Sequence, residues 1–203
     1  MQQTTENEVI ILQLGDGALS VPKESLMLAW LNQVLLTAPA TTPHHSVPRI
    51  GAEWPGEGGV YAGIMRGENG KPDYHVIVPT CEDAFVKEIT FGPAKDVPSA
   101  SSEYDGRANT IALVNEGGHP AADWAHGLDI GPHSDFYLPA RHELRLAWLN
   151  VPELFEKAWH WSSTQFAATP ASAWTQNFGN GFQGDTLKSS SGRARAFRRL
   201  IIQ

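Results

Sequence analysis

Between Trp159 and Leu200 the chain reads WHWSSTQFAATPASAWTQNFGNGFQGDTLKSSSGRARAFRRL, and this stretch limits the fold more than any other. Aromatic residues, short alternating runs and Gly/Asn turns are packed together, and an Arg-rich alternating run closes it. Short alternating runs between turn residues suit strands in an antiparallel sheet. The expectation is a small sheet that presents a polar surface and carries no catalytic constellation, which points to a binding protein.

The rest of the chain sets the frame for that sheet. Its 203 residues suffice for one well-packed domain with an appendage. Seven Trp, 19 Gly and 14 Pro favour a loop-rich architecture over a helical bundle. A formal charge of -7 argues against general affinity for nucleic acid or anionic membranes. Cys81 is the single cysteine, so no intramolecular disulfide forms and a thiolate-rich metal site is excluded. The opening MQQTTENEV has no basic stretch ahead of an apolar core, so no signal peptide is read, and no apolar run has the length of a membrane span.

Residues 8–14 read as a strand, Gly15 to Gly17 as a turn, and Lys23 to Leu36 as a helix with Ser20 as its cap and Pro22 near its first turn. Leu26, Trp30 and Val34, with Met27, Leu31 and Leu35 beside them, form a wide apolar stripe, expected to be buried against the body or a partner chain. Residues 1–37 are thus an N-terminal strand and helix arm. Residues 38–58, dense in Thr, Pro, Gly and containing His44 and His45, read as a linker. The main domain spans 59–203. It opens with a hairpin, Val60 to Met65 and Tyr74 to Val78, followed by a strand from Val86 to Phe91 and a loop over 96–106. Short helical segments follow at Thr110 to Asn115, Ala121 to Leu128 and Ala140 to Leu149. Helices followed by short strands give an α+β class, not βαβ alternation.

Along AWTQNF, Trp174, Gln176 and Phe178 are expected on a core face with Trp161 nearby, and Thr175 and Asn177 on the opposite one. Asn180, Gln183, Asp185, Lys188 and Ser189 follow in a loop from Asn180 to Ser191. With Thr175 and Asn177 they make the predicted ligand-binding set, because short polar groups spaced by Gly hydrogen-bond a glycan or protein epitope. Arg195 or Arg198 is expected to pair with a carboxylate such as Glu143, tying strand to helix.

Seven pieces in order, GVYAGIM at 59–65, DYHVIV at 73–78, AADWAHGL at 121–128, DFYLPARHEL at 135–144, WHWSST at 159–164, AWTQNFGNGFQ at 173–183 and RARAFRRL at 193–200, make residues 59–203 resemble a known family. It is the domain named after the C-terminal part of the Legionella collagen-like adhesin, found in bacterial surface proteins and in phage and prophage genes. The first 58 residues are not covered. The resemblance implies a C-type lectin-like fold, two helices with small twisted antiparallel sheets, shared by receptor-binding proteins and by formylglycine-generating enzymes. Fold alone does not decide between them.

The residues weigh against chemistry. A copper oxidase of the formylglycine-generating kind needs a cysteine pair, and only Cys81 is present. An iron enzyme on this fold would draw on His119, His126, His133 and His142, which are spread over helix and loop positions. Ser162, Ser163 and Thr164 lack a nucleophile-elbow setting, and sugar-binding calcium signatures are absent. No catalytic residue, metal or cofactor is therefore expected. The resulting expectation is a non-enzymatic phage or prophage virion component, made in the host cytoplasm and acting on the virion. Its expected partners are other virion structural proteins and a host-surface glycan or protein, with a homo-oligomer, by analogy a trimer, as the assembled form. A bacterial surface adhesin domain and a metal-dependent oxidase-like enzyme are the alternatives.

Overall fold

A computed structural model describes residues 9–14, 17–37 and 47–202 of this chain, which is a mixed α+β protein. The chain divides into two units, Met1–His44 and His45–Gln203.

In the first unit, β1 (Val9–Leu14) pairs antiparallel with β2 (Gly17–Pro22), and α1 (Lys23–Thr37) follows directly. The second strand was not expected. It runs through Ser20 to Pro22, so Ser20 is strand and not a helix cap. Pro22 stands at the last position of a two-stranded sheet, where a missing N–H is tolerated. From Ser25 to Thr37 the helix has no charged side chain, and Met27, Leu28, Trp30 and Leu31 are exposed. Met27, Trp30 and Leu31 of the apolar stripe are thus open in the single chain, and the expected cover from a partner chain stays untested by it.

Of the predicted linker, residues 38–46, with His44 and His45, lie outside the described residues. Residues 47–58 are structured in the second unit. There β3 (Glu53–Trp54) pairs with β4 (Gly59–Met65), and Trp54 is buried edge-on against Tyr61 at 5.2 Å. One large aromatic side chain anchors a stretch whose Pro and Gly content reads as linker.

The second unit holds two sheets. The four-stranded one runs β11–β5–β4–β3, all antiparallel, with β5 (Tyr74–Val78) and β11 (Arg198–Ile201). The five-stranded one runs β6–β10–β7–β8–β9. Its strands are β6 (Phe85–Thr90), β7 (Trp159–Gln165), β8 (Ser172–Asn177), β9 (Gln183–Leu187) and β10 (Ser191–Arg195). Only the β10–β7 contact is parallel. The last strand thus returns to the first hairpin, pairing Arg198 with Ile77 and Ile201 with Tyr74.

Three α-helices lie between β6 and β7 in sequence: α2 (Gly106–Glu116), α3 (Pro120–His126) and α4 (Arg141–Asn150). The α2 helix starts at Gly106, ahead of the expected Thr110, because Asp105 caps it by accepting the Ala108 N–H at 3.0 Å. Leu144 and Ala147 of α4 pack with Val76, Val78, Phe155, Phe178 and Phe197 in one apolar core. Leu113, Ala121 and Ala125 of α2 and α3 join Phe91, Phe136 and Trp161 in a second. No described helix is long and apolar enough to cross a membrane.

The arginine-rich end ties the unit together differently from expectation. Arg198 does meet carboxylates, but they are Glu57 and Asp135, each at 2.6 Å. Arg195 donates to Pro79 O at 2.8 Å and packs over Phe85. Glu143 instead lies within hydrogen-bond distance of the hydroxyls of Tyr74 and Tyr137, 2.7 Å from each.

Candidate recognition surface

The turn between β8 and β9 is built by its asparagines. The Asn177 side chain accepts the N–H of Gly179 at 2.8 Å and of Asn180 at 3.3 Å, and Asn180 accepts that of Phe182 at 3.0 Å. Such side-chain acceptors replace backbone partners in tight turns. Helix α4 clamps the turn from the side. Arg145 donates to Gly181 O at 2.5 Å, and the Trp148 ring lies so close to Gly181 that a Cβ there would fall 2.3 Å from it. With φ at +79°, Gly181 is left-handed as well. Any other residue at 181 would displace the tryptophan.

This clamp fixes an open depression of about 720 Å³ between α4 and the turn, lined among others by Arg145, Trp148, Leu149, Asn180 and Phe182. Phe182 and Leu149 are each 63% exposed. Trp159, 39% exposed, meets the Phe182 ring edge-on at 6.1 Å. The sequence reading did not pick out Phe182 or Trp159 as surface groups. The signal was present: an aromatic residue directly after an Asn-Gly turn has no strand alternation to carry it inward.

The predicted ligand set is divided by the fold. Thr175 is buried, since β8 is an interior strand, and its hydroxyl donates to Gly184 O and meets Thr186 Oγ1, each at 3.1 Å. Gln183 is spent on α4: its amide donates to Arg141 O at 2.9 Å and accepts from Arg141 Nε at 3.1 Å. Asn177 serves the turn, as above. Lys188 is fully buried, donating to Lys95 O at 2.7 Å and to Gln165 Oε1 at 2.6 Å. Burial pulls its ammonium below the ordinary lysine value. Asn180, Asp185 and Ser189 are the exposed members, and they are spread along β9, Asn180 before it and Ser189 after it. The segment expected to be one polar loop contains that strand, which is what separates them. Trp174, expected in the core, is only half-buried, under the Arg141 guanidinium.

Other polar groups are drawn into the scaffold. His119 is buried against Phe91, His126 is exposed, His133 meets Gly56 O at 2.9 Å and His142 meets Glu103 at 3.0 Å. Among the described residues no three His, Cys, Asp or Glu side chains converge as a metal site. Cys81 is half-buried. A cleft of about 80 Å³ opens beside Lys71, Tyr74, Tyr104, Asp105 and Arg199. Burial raises the Asp105 carboxyl, but Lys71, the Ala108 N–H and Arg199 outweigh it and hold the acid below its ordinary range. Searched against models of protein families and against curated proteins, the chain matches none.

Proposed function

We propose that the second unit is a non-enzymatic recognition module of C-type lectin-like fold, binding its partner through the depression beside Phe182. The observation that carries this reading is the Trp159–Phe182 pair, held in solvent next to Leu149 on a turn locked by α4. Large apolar side chains left exposed together on a rigid support mark an interaction site, and pre-organisation lowers the entropic cost of binding. Arg145 and Asn180 at its rim supply the polar contacts. The mixed α+β make-up, with small and mostly antiparallel sheets, supports this reading at the level of fold class, while the unit has three α-helices where the resemblance implies two.

On this reading the protein is a phage or prophage virion component that contacts a host-surface glycan or protein, or a neighbouring virion protein. The first unit is its docking arm, and the exposed Met27, Leu28, Trp30 and Leu31 of α1 suit assembly into a homo-oligomer, such as a trimer, on the particle. The test is binding to an array of bacterial surface polysaccharides and to intact bacteria, with wild type beside a Trp159→Ala/Phe182→Ala double variant. Wild type binds at least one target, and the double variant loses tenfold or more while melting within a few degrees of wild type. Equal binding by the double variant removes the surface from the proposal. A wild type that binds nothing removes the receptor-binding role.

A further inference from the structure

Three short polar contacts meet at Glu143, whose side chain is fully buried on α4, and a fourth joins one of its partners to Tyr104 O. Its Oε2 takes the Ala140 N–H at 2.6 Å, and its Oε1 takes the Tyr137 hydroxyl at 2.7 Å. The Tyr74 hydroxyl lies 2.7 Å from that same Oε1 and also 2.7 Å from Tyr104 O. Each contact needs one hydrogen. The Ala140 N–H and the two hydroxyls supply three, and a carbonyl oxygen supplies none. If Glu143 is ionised, Tyr74 must leave either Glu143 or Tyr104 O facing a bare oxygen at hydrogen-bond distance. If Glu143 is protonated, it donates to Tyr74, Tyr74 donates to Tyr104 O, and all four contacts are made.

The geometry points to Glu143 holding a proton in the folded second unit through mildly acidic pH and releasing it around neutrality, which makes it a pH-sensitive latch between α4 and the four-stranded sheet. The groups facing it leave the carboxyl without an ion-pair partner, the nearest positive charge being that of Arg199. From β5 comes only the Tyr74 hydroxyl, and from the segment before α4 the Tyr137 hydroxyl. Arg199 of β11 lies over the Tyr74 ring at 4.8 Å but is paired with Asp105 at 2.8 Å, and Lys71 is paired with the same Asp105 at 2.8 Å. On α4 itself, Arg141 and His142 hold Glu103, and Arg145 holds Gly181 O. Among the described residues no ion pair joins Glu143 to a cation. Gly106 packs against it so closely that a Cβ there would fall 2.3 Å from Oε2, which leaves no room for water on that side. Burial pushes the carboxyl up to about 7, against the hydrogen bonds from Ala140, Tyr137 and Tyr74 and the charge of Arg199.

The sign follows from linkage. The folded acid keeps its proton to about pH 7, whereas the unfolded one releases it near the ordinary 4.5. Between those values folding takes up a proton, so this group's contribution to stability is fully present below 4.5 and is lost as pH rises to 7. The folding equilibrium constant falls on the order of a hundredfold across that window through this group alone.

The test reads Glu143 directly and then through a variant. The Glu143 side-chain carboxyl carbon, followed by NMR in the intact protein, titrates with a midpoint near 7; a midpoint near 4.5 overturns the proposal. In Glu143→Gln the amide N–H replaces the acid proton at all pH values. The wild-type melting temperature, measured relative to this variant, therefore drops by several degrees between pH 5 and pH 8. A difference that is flat with pH overturns the proposal equally. If the variant does not fold, the wild-type titration decides alone. None of this depends on the ligand proposed above.

Discussion

The guanidinium of Arg141 lies 3.6 Å above the Trp174 ring while donating to Glu103 at 2.7 Å and to Gln183 at 3.1 Å. One side chain from the first turn of α4 thereby joins the helix to β8, β9 and the loop before α2. Only a planar guanidinium can stack and donate in two directions at once. Arg141→Lys is expected to cost about 1–2 kcal/mol, through the lost stacking and one lost charge-assisted bond. Urea denaturation measures it, and a lysine variant with the wild-type midpoint would show that the stacking contributes nothing. Burial raises the Glu103 carboxyl, but Arg141 and His142 outweigh it and hold the acid below its ordinary range. That tie is therefore present above the ordinary carboxylate value and is lost as pH falls below it, so the lysine variant's deficit shrinks in acid.

Lys188 separates a scaffold role from a recognition role. Its Nζ is buried with a carbonyl and an amide oxygen, and it lies 5.5 Å over the Phe91 ring. Lys188→Ala removes the packed stem as well as both bonds and is expected to cost about 2–4 kcal/mol. Lys188→Met refills the volume with no charge to desolvate, so it recovers most of that loss. Melting curves order the three proteins. Binding per folded molecule stays the same in all of them, in contrast to substitutions at Phe182. An alanine variant as stable as wild type would refute the burial.

Elements with a regular period were legible in the sequence. GVYAGIM and DYHVIV gave the β4–β5 hairpin, and Leu144 with its neighbours gave α4 within a residue of its start. What failed were side chains whose fate depends on distant partners. Lys188 looks like a surface lysine until Gln165 and Lys95, far apart in the chain, are brought to it. Thr175 looks outward-facing until β9 covers the far edge of β8, and β9 itself is hidden by Gly and Asp in a strand of only five residues. Trp54 gives the converse lesson, since its burial converts Pro- and Gly-rich sequence into sheet. Of the predicted ligand set, the exposed Asn180, Asp185 and Ser189 were legible as surface groups. The apolar half around Phe182 carried a competing signal, its place directly after Asn180-Gly181, against the rule by which apolar residues are assigned to the core.

His160 supplies a pH response opposite in sign to that of Glu143. Its ring is buried among Phe155, Phe178 and Phe85. The Nδ1 nitrogen lies 3.1 Å from Ala158 O, an acceptor, so Nδ1 carries the hydrogen and Nε2 is bare and buried. Burial pulls the imidazole down to about 4, with the nearby Arg195 and Arg193 charges acting the same way and the Ala158 bond and Glu156 opposing. Below the ordinary value of 6.5 the unfolded chain takes up a proton that the folded one refuses, so stability falls as pH drops from 6.5 toward 4. The loss through this group is of order 3 kcal/mol across that window. Nitrogen NMR of the wild type reads it without a substitution: the Nδ1–H tautomer is expected to persist through pH 5, with protonation near 4. A ring that titrates near 6.5 would mean that water reaches Nε2, and the packing of Phe155 and Phe178 around it would have to be revised. The two windows overlap between about 4.5 and 6.5, where the opposite slopes cancel, so the pair leaves stability nearly flat there and lowers it on either side.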